Sequence, residues 1–164
     1  MTTCLTFDEL LRHNEEETER WHGWFQAHPQ LLEVPIDVAQ ATEVRGLLLH
    51  IFAVELRYGE RLLSQEVTPY ESLPPGSVQD LFGIGVQARA KLRQFVEKAS
   101  EADWQRVLTF PTRTAGTLTA SKRKCFVHAL LHSMRHWAQL ATALRQSGFN
   151  QDWQHDFILT NTMA

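Results

Sequence analysis

Cysteine is nearly absent: Cys4 and Cys125 are the only two in 164 residues. Two cysteines build no disulfide framework, and without a C-x-x-C pair there is no thiolate zinc site or dithiol redox motif. Long apolar runs are missing as well. No uncharged stretch approaches the roughly 18 residues that a membrane-spanning helix needs, and MTTCLTFDEL lacks the basic-then-apolar order of a secretory leader; a cytoplasmic location without membrane association is the expectation. A basic excess is lacking too. Formal net charge is −3, which argues against nucleic acid as a partner. The one basic cluster, Lys122-Arg123-Lys124, reads as solvated residues at a helix start. Internal repeats and low-complexity segments are also absent, and the length fits a single domain over 1–164.

What is present is helical periodicity. Thr6 and Glu9 form a capping box, opening a helix that stops near Pro29. Leu10, Leu11, Trp21, Trp24 and Phe25 give its buried stripe, and Glu15-Glu16-Glu17 its solvent face. A loop containing Pro35 follows. A second helix runs from near Thr42 to about Gln65, apolar nearly all round from Leu47 to Val54 and therefore centrally packed. The segment EVTPYESLPPGS, with three prolines and a glycine, breaks the helical pattern. Ser77 and Asp80 cap a third helix over 78–99, with Leu81, Phe82, Ile84, Val86, Ala90, Leu92 and Phe95 apolar. Residues 102–120 read as an extended crossing connection with short strand character. A fourth helix takes 119–147 and stops at Gly148, a natural C′ residue. In the tail, Trp153, Phe157 and Ile158 predict docking. The expected class is all-α, a four-helix bundle with a longer connection between its third and fourth helices.

The segment HALLHSMRH carries His128, His132 and His136 at intervals of four. Positions four apart lie about 6 Å apart along a helix on one face, so His132 and His136 can aim at one point, as in H-x-x-x-H zinc helices. Each such step turns by about 40°, which puts His128 and His136 about 80° apart; two should bind and the third should stand beside them. A pair on one helix is a weak signal, and a third ligand from another helix decides. His50, in GLLLHIFAVEL, is the candidate, because an imidazole in so apolar a setting needs a hydrogen-bond partner or a metal. With no metal, all these histidines would instead be paired to carbonyls and carboxylates. His13, His22 and His28 read as solvent-exposed. Glu19 and His22 match one Glu-x-x-His of di-iron bundles, which need a second that is lacking here. Glu55 sits about 140° from His50 around its helix and does not chelate with it. Cys125, about 10 Å along the axis from His132, is a packing residue.

His50 followed by Ala53, Val54 and Glu55, with His132, His136 and then Trp137, Ala138 and Gln139, resembles the DinB family of four-helix metalloproteins. That family carries one ligand histidine on its second helix and an H-x-x-x-H on its fourth, often followed by Arg-Gly-Gln. The resemblance covers nearly the whole chain in helix order, and departs from the pattern at Trp137 and Ala138. It implies His50, His132 and His136 as ligands of a divalent ion, zinc or nickel, with His128 outside the triad. It also implies a thiol-dependent S-transferase-like or hydrolase activity on a small molecule, a low-molecular-weight thiol as cosubstrate, and a homodimer. A non-enzymatic, metal-stabilised binding or regulatory module is the alternative. No general base is assigned; Glu55, His128 and His155 are candidates that each have a structural reading.

Overall fold

A computed structural model describes residues 4–74, 76–113 and 115–162. The chain is mostly helical, in the order α1 (Phe7–Ala27), β1 (Pro35–Val38), β2 (Ala41–Glu43), α2 (Val44–Leu62), α3 (Val78–Lys98), α4 (Glu101–Gln105), β3 (Val107–Pro111), β4 (Thr117–Ser121) and α5 (Lys122–Gln146), with short 3-10 turns between several of them. Among the described residues no helix is long and apolar enough to cross a membrane.

The caps follow the sequence closely. Thr6 Oγ1 accepts from the Glu9 amide while Glu9 Oε2 accepts from the Thr6 amide at 2.7 Å, and Ser77 with Asp80 repeats the device on α3. Ser100 and Asp103 form a third such box and start α4, a helix that the extended reading of 102–120 did not contain. The rest of that connection is the antiparallel β3–β4 hairpin, in register from Val107 with Ser121 to Pro111 with Thr117. Ser121 both ends β4 and caps α5, so α5 starts three residues later than its periodicity suggests. A second hairpin, β1–β2, occupies the loop around Pro35. Its two-residue turn sets Ala39 and Gln40 at φ 52° and 68°, the conformation that Asn-Gly normally supplies. At the far end, Gly148 takes φ 88° and Phe149 donates to the Leu144 carbonyl at 2.9 Å, closing α5 as a Schellman motif.

Helix α2 packs on α3 and α5, and α1 packs on the same two. The core between them holds Trp21, Phe25, Leu47, Phe52, Phe82 and Leu140 in one cluster and Leu11, Leu62, Leu92, Phe110 and Phe126 in another. Gly85 lets α3 approach α2 so closely that an added Cβ would lie 2.7 Å from the Phe52 ring. Polar groups also join these helices. Arg89 of α3 grips Glu55 of α2 with Nε and Nη2 at 3.0 Å and donates Nη1 to the Asn14 carbonyl of α1; Ser133 of α5 donates to Glu55, and Asn14 donates to the Leu130 carbonyl. One buried network thus touches all four long helices.

Several surface assignments are corrected by burial. Glu17, expected on the solvent face, is enclosed and accepts from Trp21 Nε1 at 2.8 Å and from His155 Nδ1. His13, expected exposed, is buried under the Phe157 ring, with neither ring nitrogen hydrogen-bonded. His22 is half-buried and stacks on Phe82 at 4.5 Å, whereas His28 is exposed as expected. Lys122, expected to be solvated, is 4% exposed and donates to the Leu62 carbonyl, where its charge meets the negative end of α2. On α3 it is Ala88 and Arg89 that are buried, while Val86 and Ala90 face out. The tail docks on α1 through Trp153, whose ring lies 5.0 Å from that of Trp21, and through His155; Ile158 is 87% exposed and takes no part.

Candidate metal centre

Helix α2 carries His50 to its contact with α5, where His132 and His136 wait one turn apart. The Nε2 atoms of His50 and His132 are 3.1 Å apart, and those of His132 and His136 are also 3.1 Å apart. His132 and His136 are buried and His50 is half-buried. The three are the group of His, Cys, Asp or Glu ligand atoms among the described residues that can hold a metal ion. The convergence expected of 50, 132 and 136 is therefore present in the fold.

The protonation of the cluster follows from its neighbours. Gln139, one turn past His136, accepts from His136 Nδ1 at 2.7 Å. With the proton on Nδ1, the Nε2 lone pair of His136 faces the other two rings. Burial pushes His50 down to about 4, with the His136 ring as the next cause, and His132 down to about 2 for the same two reasons. Burial also lowers His136, against the opposing effect of Gln139. All three imidazoles are therefore neutral near pH 7. Neutral nitrogens this close repel through their lone pairs unless something positive lies between them. A proton bridges one pair and leaves the third nitrogen facing a lone pair. The Arg135 guanidinium, 3.2 Å from His136 Nε2, serves that one atom. A divalent cation with bonds of about 2.0–2.1 Å to imidazole nitrogen satisfies all three together, so the residues present fit a metal.

The other candidates fall outside. The His128 ring lies 5.6 Å from His132 and edge-on to Tyr58, on the cavity wall rather than in the triad. Cys125 is buried, and burial pushes its thiol up, away from the thiolate a metal would take. Glu55 is spent on Arg89 and Ser133, and His155 on Glu17; neither is among the residues lining the cavity over the triad.

That cavity has a volume of about 620 Å3 and opens on the three histidines. Its wall also holds Tyr58, Tyr70, Arg57, Arg61, Arg113 and Arg135, none of which the histidine pattern of the sequence marks. The signal for two of them was available, since Arg57 and Arg61 follow His50 by seven and eleven positions and share its helical face.

A family model for the DinB superfamily matches residues 15–140. The chain belongs to the DinB superfamily. Members of the DinB superfamily are in general metal-binding, and the matched span contains all three histidines of the cluster. Comparison with curated proteins gives no match.

Proposed function

We propose that this DinB-superfamily protein binds a divalent ion, zinc or nickel, through His50, His132 and His136. We further propose that it acts as a metal-dependent enzyme on a small molecule, by thiol-dependent S-transfer in the first place and hydrolysis in the second. The four long helices are read as the DinB-type bundle that frames the site. The observation that carries this reading is the meeting of three Nε2 atoms from two helices at the wall of a roomy cavity.

Three protein ligands, rather than the four of a structural site, leave a coordination position open. When bound, such an ion supplies Lewis acidity that brings the pKa of a water or a thiol toward neutrality. The rest is done by the chain. Burial keeps the imidazoles unprotonated, and Gln139 fixes the His136 ring with its Nε2 inward. Tyr58, whose hydroxyl burial holds in its protonated form, and His128 line the same cavity and are the groups there suited to move a proton.

The test is metal analysis of protein purified without a histidine tag, with His50→Ala and His132→Ala as controls. About one ion per chain in the wild type and loss in both variants is expected; full occupancy in both variants refutes the triad. Turnover of model electrophiles with a panel of low-molecular-weight thiols, with and without chelator, then separates enzyme from module. Chelator-insensitive or absent turnover across the panel favours a non-enzymatic, metal-stabilised module. Chelation should also lower the melting temperature, because ions that bind only the folded chain stabilise it.

A further inference from the structure

The wall of the cavity is strongly one-sided in charge. Arg57 and Arg61 of α2, Arg113 of the β3–β4 turn and Arg135 of α5 all line it, and among the described residues no aspartate or glutamate does. Elsewhere Arg12, Arg45, Arg89, Arg93 and Arg106 each pair with a carboxylate, whereas among the described residues Arg20, Arg123 and Arg145 do not, but those three are scattered singly rather than gathered at one cavity. Among the described residues, none of the four in the cavity has an ion pair. Two are held instead by aromatic faces. The Arg61 guanidinium lies 4.7 Å from the Phe110 ring centre and 5.6 Å from that of Tyr58, and Arg113 lies 4.0 Å from that of Tyr70. Such stacking orients the planar fork and leaves its charge and most of its N–H donors available. Arg57 Nε is shut away from solvent with no hydrogen-bond partner, a costly state for a donor on a charged group. Burial, and after it the Arg57 charge, depress Arg61, as expected where cations gather without a counter-charge.

We propose that this half of the cavity is a binding subsite for an oxyanion, the carboxylate or phosphate group of a small-molecule substrate, held by Arg57, Arg61 and Arg113 while the rest of that molecule reaches the histidines. A guanidinium fork matches both groups bidentately. The volume of about 620 Å3 is that of a site for a small organic molecule rather than for a bare ion. Along α2 the backbone of Arg57 stands about 10 Å beyond His50, and helical side chains lean toward the N-terminus, here toward the triad. The anionic group is thus a handle set apart from the reacting atom. The inference rests on the proposed metal reading only for the reactive end; the arginine end stands on its own observations.

The experiment titrates succinate, inorganic phosphate and uncharged succinamide into tag-free protein, both chelator-treated and metal-loaded, by calorimetry and thermal shift. Wild type is compared with Arg57→Gln, Arg61→Gln, Arg61→Lys and Arg113→Gln, and the metal content and melting curve of each are recorded. Arg113 is exposed on a turn, so its variant reports even where an α2 variant fails to fold. Binding of succinate or phosphate to the chelator-treated wild type, no binding of succinamide, and a loss of tenfold or more in the glutamine variants at unchanged metal content would support the subsite. Arg61→Lys, which keeps the charge and loses the fork, should fall between. Equal binding of succinamide, arginine variants that bind like wild type, or no binding of either anion at millimolar concentration overturns it. Anion binding that vanishes with chelator but ignores the arginine variants overturns the subsite and leaves the metal reading intact. Arginine-dependent binding by a protein that takes up no metal does the reverse.

Discussion

Gln139 is the residue on which the orientation of His136 turns, since its amide oxygen accepts the Nδ1 proton and commits the other nitrogen to the cluster. Partners of this kind are worth about 10–100-fold in metal affinity. Gln139→Leu is therefore expected to weaken metal binding by at least about tenfold with little change in fold, measured by competition with a chromogenic chelator; an unchanged affinity would show that packing alone orients the ring. The imidazoles also make a pH prediction. In the unfolded chain histidine titrates near 6.5, while folded His50 titrates at about 4. Between those values the unfolded chain binds more protons, so stability present above pH 6.5 is lost as pH falls toward 4. The metal-free wild type should melt at steadily lower temperature across that window, and His50→Gln should flatten part of the slope. Identical slopes would remove His50 from the cause. The three converging histidines were legible in the sequence because i,i+4 spacing and a histidine inside an apolar helix are local signals. Arg57 and Arg61 share the helical face of His50 but were not singled out, because two arginines late in a helix look like any solvated pair until Phe110, from the separate element β3, closes over Arg61 beside its helix neighbour Tyr58.

At the level of elements, the contact between α2 and α3 depends on a side chain that is not there. An alanine at position 85 would drive its Cβ into Phe52, and Phe52 is itself confined by Phe82 and Trp137, with ring centres 5.0 and 5.8 Å away. Gly85→Ala is expected to destabilise by about 1–3 kcal/mol in urea denaturation; a neutral result would mean that the helices slide apart at no cost. Helix limits were legible wherever a capping box or Gly148 wrote them into neighbouring residues. The hairpins were not. Ala39 and Gln40 carry none of the usual turn chemistry, so nothing in the sequence announces the left-handed turn between β1 and β2, and the β3–β4 ladder depends on pairing across a turn that a propensity reading sees only as extended chain.

For the whole molecule the deciding feature is the Arg89–Glu55 network. Removing one partner of a buried pair leaves an uncompensated charge and costs about 3–5 kcal/mol, so Glu55→Ala should lose that much stability and Glu55→Gln less, read from equilibrium unfolding. A loss below about 1 kcal/mol for the alanine variant would show that Arg89 finds water. The pairing was not recognisable from sequence, where Glu55 read as a candidate general base with a structural alternative and nothing marked Arg89. Their partnership spans 34 positions and exists only once α2 and α3 have packed.

Because that network ties α1, α2, α3 and α5 together from within, the helices are poor candidates for parts that swing. The cavity, however, has two walls of another kind: Ala39 to Thr42 at the tip of one ribbon, and Phe110 to Arg113 with Ala115 and Leu118 on the other. A small molecule of the kind proposed would have to pass those ribbons, so on that reading the doorway and the frame belong to different parts of the chain. Amide deuterium uptake should accordingly be slowest at Leu48, Phe52 and Leu92 and fastest at Gln40 and Ala115. Uptake that rose together in helices and ribbons would mean that the doorway opens only when the frame comes apart.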